Sequence, residues 1–309
     1  MTPMHPPSRI YRKLGRLLTL PVNPHFYRRA ILRYRPQKIV FLKQYGERRT
    51  GTNFLRALLL DNYPTAFPLM HVLGDKHSPP VDLAAEQEKT RHLPDAEREF
   101  VTRATLAAPA TTTNAEDADQ QLYLRKLAHP LTACVREGRL GFIISTKHPY
   151  PWAASLARLR KWTSELDGRR RMNPEFAGQL KEAVLMYNMR HRAWLELHEK
   201  NKARSAIIRH EDLLENPHQV VTDLENKFGL WRLPGKLRFP RKKVEPTPWD
   251  QHAPWLDEQA FNSTLYTSRL YEEQLNEELW DIVTNTIDWN LMARWGYEKT
   301  PLLESKAAR

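Results

Sequence analysis

The chain has a single cysteine, Cys134, among 309 residues. One thiol excludes an intramolecular disulfide framework and a metal site built from several cysteines, so Cys134 is predicted to be a small buried apolar residue. No stretch approaches the roughly 20 continuous apolar residues of a membrane-spanning helix. The apolar part of the N-terminus, Leu17 to Val22, is too short and too proline-interrupted for a convincing signal peptide. These absences predict a cytoplasmic protein.

Acidic residues are scarce in the N-terminal part of the chain. Residues 1–60 hold thirteen Lys/Arg and one acid, Glu47, and the whole chain has a formal net charge of +12. Such an excess favours an anionic ligand or surface. Residues 1–35 are predicted to be a basic N-terminal extension, and three interpretations of it stay open: a solvated arm, a segment that docks on the domain, or a basic amphipathic segment in peripheral contact with a membrane.

The remaining residues, 36–309, are predicted to form one α/β domain. Apolar runs typical of strands buried on both faces lie at 38–45, 140–146 and 203–209, with a weaker one at 66–72. Helical patterns lie between and after them, at 53–62, 118–137, 151–163, 175–200 and 217–228. This alternation predicts a parallel β-sheet flanked by helices. A helical and loop insertion at about 75–137, with an Ala/Thr/Pro-rich stretch, and an irregular C-terminal extension interrupt it.

The most informative stretch is 38–56, KIVFLKQYGERRTGTNFLR, in which a strand, a loop with two glycines and a helix follow one another. That order is how proteins hold a phosphate, between successive backbone N–H groups and the positive end of a helix dipole. The loop nearly matches the GxxxxGK[ST] pattern, but Thr52 stands at the lysine position and Asn53 at the magnesium-binding position. The sequence therefore predicts a phosphate site without the lysine and Mg²⁺ that handle a γ-phosphoryl group.

A second phosphate element is predicted after the strand at 140–146. Lys147 leaves the strand, Pro149 and Pro151 stand where a helix begins, and Ser155 follows about one turn into that helix. Because ligands of a parallel sheet bind outside the carboxyl ends of its strands, Lys147 and Ser155 are predicted to hold a phosphate near the first loop. The alternative is a strand-end charge and a solvent-facing serine. After the strand at 203–209, Glu211 and Asp212 suit the first turn of a helix.

Together these three pieces resemble the PAPS-dependent sulfotransferases, in particular bacterial members (PAPS is 3′-phosphoadenosine 5′-phosphosulfate). The family's 5′-phosphosulfate loop is similar to Arg49-Thr50-Gly51-Thr52-Asn53. Its 3′-phosphate element is similar to Lys147-His148-Pro149…Ser155, with Lys in place of Arg, and its later signature to Glu211-Asp212-Leu213…Asn216-Pro217. The matches come in family order and cover roughly residues 36–230. The resemblance implies a P-loop NTPase-like sulfotransferase fold, PAPS as the cofactor and no metal.

The resemblance also implies roles for individual residues. Arg49, with Arg48 beside it, would stabilise the leaving phosphate, although a permanently charged arginine cannot donate a proton as a lysine can. Backbone N–H groups from Thr50 through Gly51 and Thr52 to Asn53, with the two threonine hydroxyls, would hold the 5′-phosphate. Phe54 would pack on adenine, and Lys147 and Ser155 would bind the 3′-phosphate. Arg241-Lys242-Lys243 is a candidate substitute for a closing Arg-Lys-Gly element.

Sulfuryl transfer to a hydroxyl needs a group that takes the acceptor's proton. His77 is the first candidate because it follows a predicted strand and resembles part of a Lys-His pair in bacterial members, with Lys76 placed to stabilise the transferring sulfonate. His71 and Glu47 are the alternatives. The expected acceptor is a glycan or related small molecule with a hydroxyl or amine, and Trp249 and Trp255 are candidates for its side of the site.

Two other functions are compatible with the composition: a P-loop kinase-like phosphotransferase, and a non-catalytic binder of an anionic polymer. The residue types at Thr52, Asn53 and Lys147 disfavour the kinase, because neither the phosphate-binding lysine nor a magnesium-binding acid stands where a kinase needs it. Basic residues are not interleaved with aromatics as in a nucleic-acid-binding module, so no nucleic acid partner is expected. The sequence does not determine the oligomeric state.

Overall fold

A computed structural model of the protein describes residues 24–69, 73–81, 130–135, 137–166, 169–239 and 277–299. Its strands are β1 (Val40–Gly46), β2 (Ala66–Leu69), β3 (Gly141–Thr146), β4 (Thr163–Leu166), β5 (Arg169–Met172) and β6 (Ser205–Arg209). Its helices are α1 (Pro24–Tyr34), α2 (Thr52–Asn62), α3 (Pro149–Leu159), α4 (Ala177–Lys200), α5 (His210–Glu215), α6 (Pro217–Phe228), α7 (Glu277–Thr286) and α8 (Trp289–Arg294). Residues 130–135 are also helical.

Within these residues the main sheet has four parallel strands in the order β2-β1-β3-β6. The strands read as continuous apolar runs because both faces of the sheet are covered. Phe41 and Ile144 belong to one core cluster, whereas Leu42 and Ile143, their immediate neighbours in sequence, belong to another. The predicted α/β class, with a parallel sheet flanked by helices, is confirmed.

Helices from distant parts of the chain cover the two faces. Helix α4 contributes Leu180, Val184, Tyr187 and Trp194 to the first cluster, so it packs on one face of the sheet. Helices α2 and α6 supply Leu55, Leu58, Val221 and Leu224 to the second. Cys134 is buried in the first cluster, as predicted. Within the described residues, no helix has both the length and the apolar character that crossing a bilayer requires.

The predicted helix at 151–163 is partly wrong. Helix α3 begins two residues earlier, at Pro149, and ends at Leu159. Lys161 has a φ of +58°, in the left-handed region where a helix ends, and the chain then forms an antiparallel hairpin of β4 and β5. The predicted strand at 203–209 begins at Ser205, because residues 202–204 form a 3₁₀ turn. Most of the predicted insertion at about 75–137, including most of the predicted helix at 118–137, lies outside the described residues.

Part of the predicted N-terminal extension is an ordered helix. The backbone of residues 24–34 forms α1, and Arg28 donates hydrogen bonds to the carbonyls of Leu60 (2.7 Å) and Tyr63 (3.3 Å) at the end of α2. Arg28 is buried in this contact. A guanidinium is favoured there because the carbonyls at the end of a helix carry partial negative charge. Residues 24–34 are therefore docked on the domain, whereas residues 1–23 lie outside the described part of the chain.

Candidate active site

The strand order places two loops side by side. From β1 the chain passes to β2 on one side and then, after the insertion, to β3 on the other, so the direction of strand addition reverses between β1 and β3. Ligands of open α/β sheets bind at this reversal, outside the carboxyl ends of the strands. Gly46 at the end of β1 pairs in register with Ser145, and Thr146 pairs with Arg209, so all three strands end at one edge.

The loop from β1 to α2 has a fixed, strained conformation. Arg49 has a φ of +71°, which is uncommon for a residue other than glycine and costs about 1–2 kcal/mol. Gly51 has a φ of +77°, and a Cβ added there would lie 2.6 Å from His210 Nδ1. A Cβ on Gly46 would lie 2.6 Å from the carbonyl oxygen of Ser145. Both glycines are therefore required for the loop to approach β3 and α5 so closely.

The loop leaves the start of α2 open towards this edge. Gly51 is the N-cap residue and brings no side chain to cap the helix, so the first N–H groups of α2 are placed to bind an anion. Thr50 is used differently, since its hydroxyl (2.7 Å) and its N–H (3.3 Å) both donate to the carbonyl of Glu47. Because its hydroxyl proton stabilises the loop itself, the structure favours the N–H groups after Gly51 over Thr50 as donors to a phosphate.

A direct hydrogen bond joins the two predicted phosphate elements. Nε of Arg49 donates to Oγ of Ser155 at 3.0 Å, across 106 residues of sequence. Ser155 is buried on the first turns of α3 and does not face solvent. Of the two arginines in the loop, Arg49 points towards the second element, while the side chain of Arg48 is exposed. The predicted proximity of the two loops is present in the structure.

Lys147 lies at the centre of this edge and is only 2% exposed. Burial lowers the pKa of its amine from the usual 10.5 to about 7, with Arg49 and Arg158 lowering it further and Glu211 raising it. Its backbone carbonyl accepts a hydrogen bond from the hydroxyl of Tyr187 at 2.6 Å. The site therefore holds a lysine that is close to losing its proton, and a bound anion would favour the charged form.

His210 follows β6 and faces the same cations. Burial, together with Lys147 and Arg49, holds its pKa well below the usual value, so its ring is neutral. It packs against Gly51 in the first loop. The sequence analysis did not single out His210. Its position directly after a strand that ends at the site, and directly before Glu211, is the signal that could have identified it.

Glu211 fixes the second phosphate element. Its Oε1 accepts a hydrogen bond from the backbone N–H of His148 (2.9 Å), and its Oε2 accepts one from the hydroxyl of Tyr297 (2.9 Å). The His148 ring in turn lies against Tyr297, and its Nε2 donates to the carbonyl of Glu298 at 3.1 Å. The helix-start role predicted for Glu211 is present, but the carboxylate also connects α5, the Lys147 loop and the segment after α8.

Glu47 is held by an ion pair that sequence inspection did not reveal. Nη1 of Arg190, on α4, donates to both carboxylate oxygens, at 2.9 and 3.0 Å. Burial raises the pKa of this carboxyl, and Arg190 opposes the shift. A carboxylate whose two oxygens both accept from one arginine is a poor general base. The structure therefore favours a role for Glu47 in supporting the loop.

The segment 73–81 brings Lys76 and His77 to the first loop. Nζ of Lys76 donates to Oδ1 of Asn53 at 2.6 Å, and the carbonyl of Lys76 accepts from the N–H of Gly46 at 2.9 Å. Nδ1 of His77 donates to the carbonyl of Gly46 at 2.6 Å. Lys43 attaches the same segment to β1 by donating to the carbonyl of Gly74 at 2.6 Å. A lysine and a histidine therefore lie beside the loop from β1 to α2.

The His77 contact selects one tautomer of the ring. Because a carbonyl can only accept, Nδ1 carries the proton and Nε2 carries the lone pair. Burial, with Lys76 as the next contributor, lowers the pKa of His77 to about 3, so the ring is neutral near pH 7. This arrangement gives a ring whose Nε2 can accept a proton.

The other predicted site residues fall into two groups. Phe54 is 5% exposed and packs in the second core cluster, so the structure does not place its ring among the cationic groups at the edge. Outside the described residues lie His71, Trp249, Trp255 and Arg241-Lys242-Lys243. Among the residues that the structure describes, no three His, Cys, Asp or Glu side chains are grouped to hold a metal ion.

No protein-family model matches the chain, and no curated protein matches it either. Solved structures give matches. The chain is similar to sulfotransferase domains. One is the sulfotransferase domain of the Synechococcus PCC 7002 olefin synthase, with 15% identity, a TM-score of 0.40, and coverage of 85% of this chain and 95% of that one. Another is the sulfotransferase domain from the curacin biosynthetic pathway, with 16% identity, a TM-score of 0.39, and coverage of 85% and 98%.

Proposed function

We propose that this protein is a sulfotransferase that moves the sulfuryl group of PAPS to a hydroxyl or amine, on a glycan or related small acceptor. The observation that carries the proposal is the hydrogen bond from Arg49 to Ser155, which joins the two proposed phosphate-binding elements. A nucleotide with phosphates on both its 5′ and 3′ positions fits such a pair, whereas a nucleoside triphosphate needs one elongated site.

The residues present suit this cofactor. The loop at Gly51 has no room for a Cβ, and the start of α2 offers N–H groups. Burial lowers the pKa of Lys147, and an incoming anion would raise it. The amides after Gly51 would hold the 5′-phosphate, and Lys147 with Ser155 would hold the 3′-phosphate. When bound, the cofactor would supply an activated sulfuryl group whose transfer leaves a nucleotide bisphosphate.

The protein's own groups would then assist transfer through position and charge. Arg49, fixed by Ser155, would stabilise negative charge on the leaving phosphate, and Lys76, held by Asn53, would do so near the transferring group. Nε2 of His77 would accept the acceptor's proton, because Nδ1 already carries a proton that it donates to the carbonyl of Gly46. Its low pKa makes His77 a weak base in the free protein, and an anionic ligand beside it would raise that pKa.

Calorimetric titration with adenosine 3′,5′-bisphosphate, beside ADP with and without Mg²⁺, tests the proposal. We expect the bisphosphate to bind without Mg²⁺ and at least about tenfold more tightly than ADP, since only the bisphosphate reaches Lys147 and Ser155 and a charge-assisted contact contributes about 1.5–3 kcal/mol. Replacing either residue with alanine should weaken this preference. Mg²⁺-dependent ADP binding without bisphosphate binding would instead indicate the kinase-like phosphotransferase, and no binding of either ligand would favour the anionic-polymer binder.

The protonation state of His77 gives an independent test that needs no acceptor. We expect His77 to stay neutral, with the proton on Nδ1, down to about pH 5, because its pKa is lowered to about 3. Long-range ¹H–¹⁵N NMR spectra across pH 5–8 report the tautomer, and the His77→Gln variant identifies the signal by its loss. A ring that carries its proton on Nε2 would rule out the proposed base, whereas a ring that takes up a proton within this range would contradict the lowered pKa.

A further inference from the structure

Two segments meet on the surface at the end of α2 that is farther from the phosphate loop. Arg28 binds α1 to the carbonyls of Leu60 and Tyr63. The segment 230–239 is held at the same end, because Asn62 exchanges hydrogen bonds with the backbone of Arg238, at 2.8 Å in both directions. The Tyr27 ring, on α1, lies 5.8 Å from the Trp231 ring, edge to face. The two segments therefore form one continuous surface.

Aromatic side chains project from this surface. Tyr34 is 71% exposed, Trp231 is 44% exposed and Tyr27 is 37% exposed. Tyr27 and Tyr34 are seven residues apart on α1, which places them on the same side of the helix, two turns apart. We use the name basic aromatic face for the set Tyr27, Arg33, Tyr34, Arg35, Trp231, Arg232 and Lys236.

The same surface is rich in cations. The exposed cations of residues 24–38 and 230–239 are Arg33, Arg35, Lys38, Arg232 and Lys236, and neither segment contains an acid. The guanidinium of Arg33 lies 5.3 Å from the Tyr34 ring centroid. Glu225, from α6, lies 3.6 Å from Arg232 and accepts a hydrogen bond from Tyr63, so it offsets a small part of the positive charge.

We propose that the basic aromatic face docks the protein onto an anionic membrane surface. Tyrosine and tryptophan are favoured at the headgroup level of a bilayer because their rings combine an apolar body with a polar edge. Each Lys/Arg near an anionic leaflet adds about 1 kcal/mol of attraction. Exposed aromatic rings among the arginines and lysines of two acid-free segments supply both contributions. Residues 1–23, which precede α1 in the sequence, are likewise free of acids.

This docking would orient the proposed catalytic edge. Helix α2 begins at the phosphate loop and ends under the basic aromatic face, and its 11 residues span about 16 Å. A membrane against this face would lie beside the N-terminal end of β1, and the carboxyl edge of the sheet would point away from it. The membrane would then hold the enzyme near its surface without covering the proposed nucleotide site.

Co-sedimentation of the full chain with lipid vesicles tests the proposal. We expect binding to vesicles that contain about one-third phosphatidylserine, a loss of that binding in pure phosphatidylcholine, and weakening with salt. The double variant Arg33→Gln/Lys236→Gln should reduce binding about tenfold or more, since it removes two charges from the face. The double variant Lys181→Gln/Lys200→Gln, which removes two exposed charges from α4, is the matched control and should bind like the wild type.

A second pair of variants separates a membrane from other polyanions. Tyr34→Ser/Trp231→Ser should lower vesicle binding severalfold without changing retention on immobilised heparin, whereas Leu185→Ser/Met189→Ser, which alters exposed apolar residues of α4, should change neither. Equal losses in test and control pairs, or vesicle binding that ignores the aromatic residues, would overturn the proposal in favour of general attraction to polyanions. Absence of binding to anionic vesicles would overturn it outright. Bisphosphate affinity, measured in parallel, reports folding and the proposed nucleotide site independently.

Discussion

Replacing Arg49 with glycine is expected to weaken the binding of adenosine 3′,5′-bisphosphate about 10- to 100-fold. The side chain is the link between the two phosphate elements, and a charge-assisted hydrogen bond to a ligand contributes about 1.5–3 kcal/mol. Glycine is the informative substitution because Arg49 has a φ of +71°, a conformation that glycine adopts without strain. Calorimetric affinity should therefore fall while the midpoint of thermal unfolding stays close to that of the wild type.

Arg48→Ala is the matched comparison for Arg49→Gly. It removes the same charge from the same loop, but the Arg48 side chain is exposed and its loss should change the affinity only severalfold. Equal effects at both positions would mean that the loop attracts the ligand by long-range charge alone. The double variant with Ser155→Ala completes a cycle. The part of the Ser155→Ala effect that comes from positioning the guanidinium should vanish once Arg49 is absent, whereas the part that comes from the proposed contact of Ser155 with the 3′-phosphate should remain.

The structure also shows which parts of the fold can be predicted from local pattern. The strand at β1 and the helix at α6 were predicted to within two residues, since a continuous apolar run and a proline-initiated amphipathic segment are local signals. The hairpin of β4 and β5 was missed. Its residues have no apolar alternation. Lys161 follows the end of α3 in the left-handed conformation, but it is not a glycine or asparagine, the residue types that usually mark a helix end.

The candidate site shows the same difference between local and distant signals. Arg49, Gly51, Lys147 and Ser155 could be predicted as site residues because each occupies a fixed place relative to its own strand. The support for these residues was not found, because it comes from elements far away in sequence: Arg190 reaches Glu47 across 143 residues, and Tyr297 reaches Glu211 across 86. Such pairs leave no trace in periodicity or spacing. The candidate positions at the edge are predictable from local sequence, whereas the contacts that support them are tertiary.

The affinity for the bisphosphate is expected to fall steeply as the pH rises from 7 to 9. A dianionic phosphate favours the ammonium form of Lys147, whose pKa in the free protein is lowered to about 7, so binding above that pH must be accompanied by proton uptake. The decrease can approach tenfold per pH unit, or about 100-fold over this range. The ligand's own second ionisation, near pH 6 for a phosphate monoester, is complete across most of the range and does not mask the effect.

Other groups that face Lys147 also affect its pKa. Arg49 and Arg158 lower its pKa, Glu211 raises it, and the neutral ring of His210 lies close by on α5. Glu211→Gln keeps the size of the side chain but removes the charge that favours the ammonium form, so the decrease in affinity should begin at a lower pH. A mere loss of loop geometry would instead lower the affinity equally at every pH, which separates an electrostatic role of Glu211 from a structural one.

The Lys147→Arg variant tests whether Lys147 is the group whose titration makes bisphosphate binding depend on pH. Arginine stays protonated at every accessible pH, so this variant should bind the bisphosphate with little change between pH 7 and 9. Lys43 has a similarly lowered pKa, also because of burial, and any pH dependence that survives in Lys147→Arg would belong to it or to another group.

Calorimetry in buffers of different ionisation enthalpy measures the proton directly: uptake should rise from near zero at pH 6 towards one proton at pH 8.5 in the wild type and vanish in Lys147→Arg. An affinity that stays flat from pH 7 to 9 in the wild type would show that Lys147 is fully charged before the ligand arrives.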